Sequence, residues 1–397
     1  MKYKIILFFL IGLDVFILIF QTSQISISPS EALLLYGHPS FLQYLVKFSL
    51  NIFGQNDFGL RFVMIFLHVS SVILLYLISA RYLKLQRNRL WLILVFILLP
   101  GVISSALVVS HAGLIIFGLF LYIYLSQKIN DYFLALLLLL YAVADAGFMY
   151  LFLGLSIYYL FEKKKILFVY NLALLSFSLY MYGTNISGVP RGHFLDTIGI
   201  YSAIFTPIIF IYLFYVLYRG YLNNDDDKVW YIATTALLFS LFLSFRQRVE
   251  LEVLAPYLML ALPLAARAFA SSYRVRLKQH RQKYKAIFIL AFVFLFLNTL
   301  LVLFNKDLYL VLDNPKKNFA YKMNIAKELA SKLHAMNISC VKTDTDMQRR
   351  LKFYFIEKCD KNTLTELKLH SKMQNNVTIS YKNKIIYKAN VTKINNR

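Results

Sequence analysis

Long apolar runs recur along the first three quarters of the chain, each followed by a short polar turn. An α-helix rises 1.5 Å per residue, so about 20 apolar residues cross the roughly 30 Å hydrocarbon core of a bilayer. The pattern predicts an all-α polytopic membrane bundle of about eleven transmembrane helices. We place these segments at 5–20, 60–80, 90–110, 112–125, 132–144, 148–161, 166–182, 201–218, 229–245, 254–271 and 286–304.

The pattern changes near Asn305, where charged and amide residues begin to dominate. Residues 321–336 have apolar positions at helical spacing, which predicts an amphipathic helix. Short apolar runs after it predict strands, the last two joined as a hairpin. These strands are 338–341, 351–356, 377–381 and 385–387. We therefore expect a transmembrane domain over 1–305 and a small α/β domain over 306–397.

The first loop, over 21–59, is the longest predicted before the tail, and long loops in compact domains are often functional. Within it, residues 41–53 place Leu42, Val46 and Phe53 at helical spacing, with Lys47 on the other side. This spacing predicts an interfacial helix lying along the membrane surface.

Composition agrees with a membrane protein, because 59% of the residues are hydrophobic and only 16% are charged. Basic residues set the orientation, since cytoplasmic loops carry an excess of Lys and Arg. That bias predicts a multi-pass protein of the cytoplasmic (inner) membrane, with a cytoplasmic N-terminus and an extracytoplasmic (periplasmic) tail. The predicted outer loops before the tail hold only Lys47, Arg61, Arg191, Arg246 and Arg248.

The formal net charge of +23 does not indicate a nucleic-acid partner. Many of the basic residues are explained by membrane orientation, and the cluster over 274–285 is expected to attract anionic lipids. The chain has no Gly-rich phosphate-binding loop that would support nucleotide hydrolysis. Membrane lipids are therefore the expected partners, and nucleic acid is not.

The chain contains two cysteines, Cys340 and Cys359, and both lie in the tail. In an oxidising compartment they can form a disulfide that stabilises a small domain. Two separate buried thiols are the alternative. A pair of cysteines without a neighbouring histidine does not predict a zinc site.

Several motifs in residues 5–160 resemble those of the GT-C glycosyltransferases, in the branch of the protein O-mannosyltransferases and the lipid A aminoarabinose transferases. An acid, Glu31, follows the first predicted span, and His38-Pro39-Ser40 stands where members often have His-Pro-Pro. The likeness continues through the motifs Phe58-Gly59-Leu60-Arg61, Pro100-Gly101 and Ser110-His111-Ala112.

The resemblance implies transfer of a sugar from a polyprenyl-phosphate-linked donor, with an outer carboxylate acting as general base. Glu31 is the candidate base; the alternative is an acid that stabilises a helix N-terminus next to a capping Ser30. His38 and His111 are further catalytic candidates for acid–base or phosphate contacts. Members usually carry Asp where this chain has Ser30, and another Asp near His111, so a catalytically inactive relative stays an alternative.

Arginine is suited to phosphate oxygens because its guanidinium forms forked hydrogen bonds. Arg246 and Arg248 are the candidates for the phosphate, and a surface network with neighbouring glutamates is the alternative. Further substrate-binding candidates are Arg61, Arg191 and His193, although solvation of an ordinary loop also explains the last two. No metal ligands and no cofactor are assigned; a divalent metal is an open alternative without support in the sequence.

Two acids lie within or beside predicted spans, where carboxylates are costly and often functional. Asp145 sits between two short predicted spans, and Asp14 lies deep in the first, where pairing with another helix is expected. The leading hypothesis is a membrane glycosyltransferase acting on an envelope glycan, lipid or protein. The alternatives are a transporter or flippase of a lipid-linked or polar substrate, and a non-catalytic scaffold.

Overall fold

The structure, a computed structural model, describes residues 2–183, 192–223, 227–367 and 377–393, which are mostly helical. Its helices, in chain order, are α1 Lys2–Gln24, α2 Pro29–Tyr36, α3 Phe41–Phe53, α4 Asp57–Tyr82, α5 Gln86–Leu98, α6 Pro100–Leu107, α7 His111–Ser126, α8 Ala135–Ala144, α9 Met149–Phe161, α10 Lys165–Tyr182, α11 Phe194–Phe205, α12 Pro207–Leu222, α13 Lys228–Ser244, α14 Leu251–Met259, α15 Leu262–Val275, α16 Lys278–Leu303, α17 Leu308–Val311, α18 Ala326–Ala335 and α19 Thr345–Phe353. Single 3₁₀ turns occupy Ala146–Phe148, Pro315–Lys317 and Tyr321–Asn324, and the strands are β1 Asn362–Glu366, β2 Val377–Tyr381 and β3 Lys384–Lys393.

The chain divides into two compact units. The helical unit comprises Met1–Val15, Met64–Ala106 and Ser110–Thr299. The tail unit comprises Phe16–Val63, Leu107–Val109 and Leu300–Arg397. The tail unit thus contains the whole of the first loop, residues 21–59, as well as the C-terminal part of the chain.

Apolar helices account for all of the predicted membrane segments, each of which overlaps a helix or a bent helix pair. Among the described residues, five helices are long and apolar enough to cross a membrane, and up to seven if each bent pair forms one span. The remaining predicted segments fall on shorter apolar helices. The fold is therefore a helical bundle compatible with a membrane protein. The long helices are Lys2–Gln24, Asp57–Tyr82, Lys165–Tyr182, Leu251–Val275 (α14 and α15 taken together) and Gln279–Leu303, and the shorter ones are His111–Ser126, Ala135–Ala144, Ala146–Phe161 (a 3₁₀ turn and α9 taken together) and Lys228–Ser244.

The centre of the helical unit is formed by α7, α9, α13 and α14, with α9 packed against α13 and α14 packed against both α13 and α7. Helices α9 and α13 are antiparallel. The rings of Tyr150 and Phe239 lie 5.6 Å apart, and those of Tyr158 and Tyr231 lie 5.5 Å apart. The start of α9 therefore shares one end of the unit with the end of α13.

Two apolar segments of the helical unit are bent rather than straight. Helices α5 and α6 meet at 62°, and α11 and α12 meet at 106°. Each second half begins with proline, Pro100 or Pro207, which cannot donate a backbone hydrogen bond and is favoured at a helix start. The bends lie close together: a Cβ added at Gly101 would come within 2.4 Å of Ile204 Cγ2.

The tail unit contains a sheet, which in the described residues has three antiparallel strands in the order β1-β3-β2. Strands β2 and β3 form the predicted hairpin, with Tyr381 paired to Lys384 and Lys382 at a φ of 51° in the turn. Helix α18 packs on β2 and buries Leu329 and Leu333 in the core.

The strand predicted over 351–356 is wrong, because these residues complete helix α19 and the turn that follows it. The side chain of Asp344 accepts a hydrogen bond from Met347 N and caps this helix. Residues 338–341 contribute only an isolated bridge at Cys340, and strand β1 has no counterpart in the prediction. The helix expected over 321–336 is a 3₁₀ turn followed by α18.

The first loop is held by the C-terminal residues of the same unit. Ser26 N and Oγ both donate to Met323 O, at 2.8 and 2.7 Å. The hydroxyl of Tyr354 accepts from Ile27 N at 3.0 Å and donates to Asp57 Oδ1 at 2.6 Å. These hydrogen bonds explain why the first loop clusters with the tail.

The predicted interfacial helix has the expected bounds, as α3 runs from Phe41 to Phe53. It buries Leu42 and Val46 but exposes Tyr44 and Phe48 on its other side. The helix therefore carries apolar surface on both sides. Elsewhere in this unit, a disulfide joins Cys340 and Cys359.

Candidate functional site

Glu31 lies in the first turn of α2 and has no exposed surface. Ser28, rather than Ser30, is the N-cap: its Oγ accepts from Glu31 N at 3.2 Å, and Ser28 N donates to Glu31 Oε2 at 2.7 Å. This reciprocal arrangement is a capping box, which satisfies backbone donors at a helix start. Glu31 Oε1 also accepts from Val109 N at 2.9 Å.

Arg61, near the start of α4, forms a forked ion pair with Glu31. Its Nε donates to Glu31 Oε1 at 3.0 Å, and its Nη2 donates to Glu31 Oε2 at 2.9 Å. The remaining donors reach backbone oxygens, with Nη1 2.8 Å from Ile25 O and Nη2 2.9 Å from Ser26 O. Arg61 is also completely buried, so this pair fixes the segment between α1 and α2 and presents neither charge to a substrate.

The third candidate of this unit, His38, is in a different setting. It follows the end of α2 at Gly37, and its side chain is exposed. The structure therefore places Glu31 and Arg61 together in a buried cluster and leaves His38 at the surface.

In the helical unit, His111 pairs with Asp145. His111 begins α7, and its Nδ1 lies 2.5 Å from Asp145 Oδ2. The Asp145 side chain is only 6% exposed, whereas that of His111 is 40% exposed. A carboxylate that accepts the Nδ1 proton leaves Nε2 with its lone pair, which is the arrangement of an oriented base.

Asp145 is held in place by the turn that it caps. Its Oδ1 accepts from Gly147 N at 2.7 Å, and Gly147 O accepts from the Tyr257 hydroxyl at 2.7 Å. The same hydroxyl accepts from Leu151 N at 3.0 Å, in the first turn of α9. The acid is therefore positioned by α9 and α14 together.

Glu252 adds a second carboxylate beside the histidine. It lies in the first turn of α14, and its Oε1 accepts from His111 N at 2.9 Å. Negative side chains at helix N-termini interact favourably with the helix dipole. The starts of α7, α9 and α14 thus converge on His111, Asp145 and Glu252.

The arginines expected to bind phosphate lie in the segment that leads into α14. Arg246 and Arg248 are both exposed, and Glu252 follows Arg248 by four positions. Their guanidinium groups make no hydrogen bond or ion pair with any residue that the structure describes. No described residue therefore competes with a ligand for these two guanidinium groups.

The polar cluster expected around residue 191 is partly described. Arg191 lies outside the described residues. His193 Nδ1 is 3.2 Å from Asp196 Oδ2, and Asp196 is 72% exposed. His193 N donates to Ser244 O at 2.7 Å, which places it beside the end of α13.

The pairing of His111 with Asp145 was not predicted, although both residues were singled out. The sequence contained one indication of it: His111 and Asp145 each stand at the start of an apolar run. The expected partner for Asp14 is found: its Oδ2 lies 2.7 Å from His68 Nε2, and both side chains are buried. In the described ranges, no group of three His, Cys, Asp or Glu residues has an arrangement that could hold a metal ion.

No family model matches this chain, and a search of curated proteins also finds no match. The resemblance to the GT-C glycosyltransferases therefore depends on the sequence motifs alone.

Proposed function

We propose that this chain is an integral membrane glycosyltransferase. In this proposal it transfers a sugar from a polyprenyl-phosphate donor to an envelope glycan, lipid or protein at the outer face of the cytoplasmic membrane. The observation that carries the proposal is the His111–Asp145 pair, whose half-exposed imidazole is oriented by a buried carboxylate. We propose His111 rather than Glu31 as the base, because the Glu31 carboxylate is enclosed by Arg61 and backbone donors.

The proposed chemistry is a displacement at the anomeric carbon. His111 Nε2 removes the proton of an acceptor hydroxyl while that oxygen forms a bond to the anomeric carbon. The bond from this carbon to the phosphate oxygen breaks, and the phosphate leaves with the electron pair. General-base assistance of this kind contributes about 10²–10⁴-fold to the rate.

The leaving phosphate needs positive charge nearby, and Arg246 and Arg248 are candidates to supply it. They are exposed and lie in the segment leading into α14, whose first turn contacts His111 through Glu252. Arginine stabilises developing charge on phosphate oxygens through forked hydrogen bonds. Arg61 is not proposed for this role because its donors are already bound.

The distribution of basic residues supports an outer position for His111. The end of the helical unit opposite His111 carries Lys128, Lys164 and Lys228, at the end of α7, before α10 and at the start of α13. Positive residues favour the cytoplasmic side. The His111 end is then extracytoplasmic, where a lipid-linked sugar donor is expected.

A transfer assay in membranes containing the full-length chain tests this function. With a labelled polyprenyl-phosphate sugar, His111→Gln should reduce product formation about 10²-fold or more. Arg248→Ala should reduce it less and mainly raise the donor concentration needed for half-maximal rate. Wild-type rates in both variants would overturn the assignment, and absence of transfer by the wild type would favour a scaffold.

Transport of a lipid-linked or polar substrate is the second candidate, favoured by the two bent helix pairs. Broken helices are common in transporters, where they surround the substrate site. The 62° and 106° bends meet near Gly101 and Ile204. Uptake or flipping by the purified chain in liposomes, without formation of a new glycosidic bond, would support this candidate over the transferase.

A further inference from the structure

A polar cavity of about 250 Å³ opens at the end of the helical unit opposite His111. It lies where α4 and α7 end and where α13 begins. The lining includes charged, amide and aromatic side chains from these helices and from the α7–α8 connection. Its principal lining residues are Arg81, Tyr82, Gln127, Asp131, Tyr158, Asp227 and Lys228.

Part of the cavity's charge is already neutralised. Lys228 Nζ donates to Asp131 Oδ1 at 2.5 Å, and Lys164 approaches the other oxygen of Asp131 at 3.7 Å. Lys228 Nζ also lies 5.3 Å from the centre of the Tyr158 ring and contacts the rings of neighbouring tyrosines. Of these groups, Lys228, Asp131 and Tyr158 line the cavity, and their contacts with one another do not need a ligand.

Arg81 is different, because its exposed guanidinium makes no hydrogen bond or ion pair within the described part of the chain. Asp227 has one carboxylate oxygen that accepts no hydrogen bond from the residues that the structure describes. Its Oδ1 accepts from the Tyr82 hydroxyl at 3.1 Å and from Val229 N at 3.0 Å, while no described residue donates to Oδ2. As far as the described residues are concerned, the cavity therefore offers one unpaired guanidinium and one carboxylate with spare hydrogen-bonding capacity.

We propose that this cavity binds the headgroup of a zwitterionic phospholipid carrying a phosphate and a primary ammonium. Arg81 would contact the phosphate, since arginine pairs well with phosphate oxygens. Asp227 would accept a hydrogen bond from the ammonium. A simple anion would pair only with Arg81, and the Asp227 carboxylate would repel it.

The surroundings favour a lipid as the source of this headgroup. Tyr132 and Phe133 follow Asp131 in the chain and are 53% and 77% exposed. Exposed aromatic residues next to polar helix ends are typical of the membrane interface. Acyl chains can then lie against apolar helix surface while the headgroup enters the cavity. This site is separate from the proposed catalytic pair and does not depend on it.

Native mass spectrometry of the full-length chain, with equimolar phosphatidylethanolamine and phosphatidylglycerol, tests the proposal. The wild type should retain phosphatidylethanolamine in preference. Arg81→Gln and Asp227→Asn should each reduce that retention about tenfold, which corresponds to the loss of one charge-assisted contact. The Asn side chain still accepts from Val229 N, so this variant removes charge while keeping the helix cap.

Matched controls are Arg87→Gln and Asp196→Asn, which remove exposed charges that do not line the cavity. Both should retain lipid as the wild type does. Preferential retention of phosphatidylglycerol, or dependence on Arg81 without dependence on Asp227, would overturn the zwitterion assignment. A displacement measurement adds soluble phosphoethanolamine to the same samples. Binding of this compound without retention of either lipid would overturn the assignment of the headgroup to a lipid.

Discussion

Glu31 and Arg61 form a forked ion pair in which neither side chain has exposed surface. The pair closes the segment between α1 and α2, because Arg61 also donates to the carbonyl oxygens of Ile25 and Ser26. A residue that resembles a catalytic acid by its sequence position is therefore the anchor of a loop. A stability measurement distinguishes these two roles.

Glu31→Gln should destabilise the chain by about 3 kcal/mol, because it leaves the Arg61 charge buried without its partner. Thermal or denaturant unfolding in detergent, followed on the full-length chain, measures this change. The double variant Glu31→Gln/Arg61→Met should lose less than the sum of the two single variants, since it removes both charges. Wild-type stability of Glu31→Gln together with abolished transfer would restore the catalytic interpretation.

Asp145→Asn should reduce sugar transfer about 10²-fold or more without unfolding the chain. The amide can still accept from Gly147 N and cap the turn, but it no longer binds the Nδ1 proton of His111 as an anion. The measurement is the transfer rate at saturating donor concentration. Loss of the orientation of His111 should lower this rate more than it alters donor binding.

Another histidine–aspartate pair of the same unit, His193 with Asp196, provides the control. His193 and Asp196 are 3.2 Å apart, but the Asp196 side chain is 72% exposed, whereas that of Asp145 is 6% exposed. Asp196→Asn should leave the transfer rate within about twofold, since exposed ion pairs contribute little. Equal losses in Asp145→Asn and Asp196→Asn would show that neither effect is specific to the proposed base.

The sequence predicted the apolar helices well because their signal is local. Each predicted membrane segment falls on a helix or bent pair, and α3 has the expected bounds Phe41–Phe53. The environment of Glu31 depends instead on Arg61 and Val109, which are 30 and 78 positions away. Periodicity carries no information about such distant partners.

In the tail, β-forming residues misled the strand prediction over 351–356. Phe353, Tyr354 and Ile356 favour strands, but Asp344 caps a helix in which Met347 and Leu351 share a buried side. Here the cap and the four-residue spacing were readable signals of a helix. By contrast, the hydrogen bond from Tyr354 to Asp57 joins residues that are 297 positions apart, and no local pattern indicates it.

Tyr354→Phe should destabilise the tail unit by about 1–3 kcal/mol. The change removes the hydroxyl that donates to Asp57 and accepts from Ile27 N. Burial and the neighbouring Asp57 carboxylate raise the pKa of the Tyr354 phenol. The phenol therefore stays neutral and keeps donating across the ordinary pH range. Limited proteolysis of the first loop, combined with unfolding curves, measures the loss.

Tyr381→Phe is the matched control for that change. Its hydroxyl donates to Asp307 at 2.7 Å, a distance similar to the 2.6 Å of the Tyr354 contact, but the Asp307 side chain is 46% exposed, whereas that of Asp57 is 8% exposed. Solvent replaces this hydrogen bond, so the change in unfolding free energy should stay within about 0.5 kcal/mol. Similar losses in both variants would contradict a special role for the buried contact.

Removing the disulfide with Cys340→Ser/Cys359→Ser should destabilise the tail unit by about 2–4 kcal/mol. The two cysteines are 19 positions apart and enclose helix α19. Proteolysis of the purified chain should therefore become faster within the tail. A reductant should reproduce this effect in the wild type and add nothing in the double serine variant; a reductant effect of equal size in both would contradict the prediction.

Gly101→Ala should destabilise the helical unit by about 1–3 kcal/mol, because the new Cβ would lie 2.4 Å from Ile204 Cγ2. Adding Ile204→Ala removes that methyl and should recover part of the loss, as contacting residues are coupled. Gly199→Ala, in α11 with no atom within 4 Å of its added Cβ, should instead be neutral or stabilising. If Gly101→Ala lost activity and the added Ile204→Ala restored both stability and activity, the activity would depend on the close packing of the two bends. Unchanged stability in Gly101→Ala would show that the bends do not need this close approach.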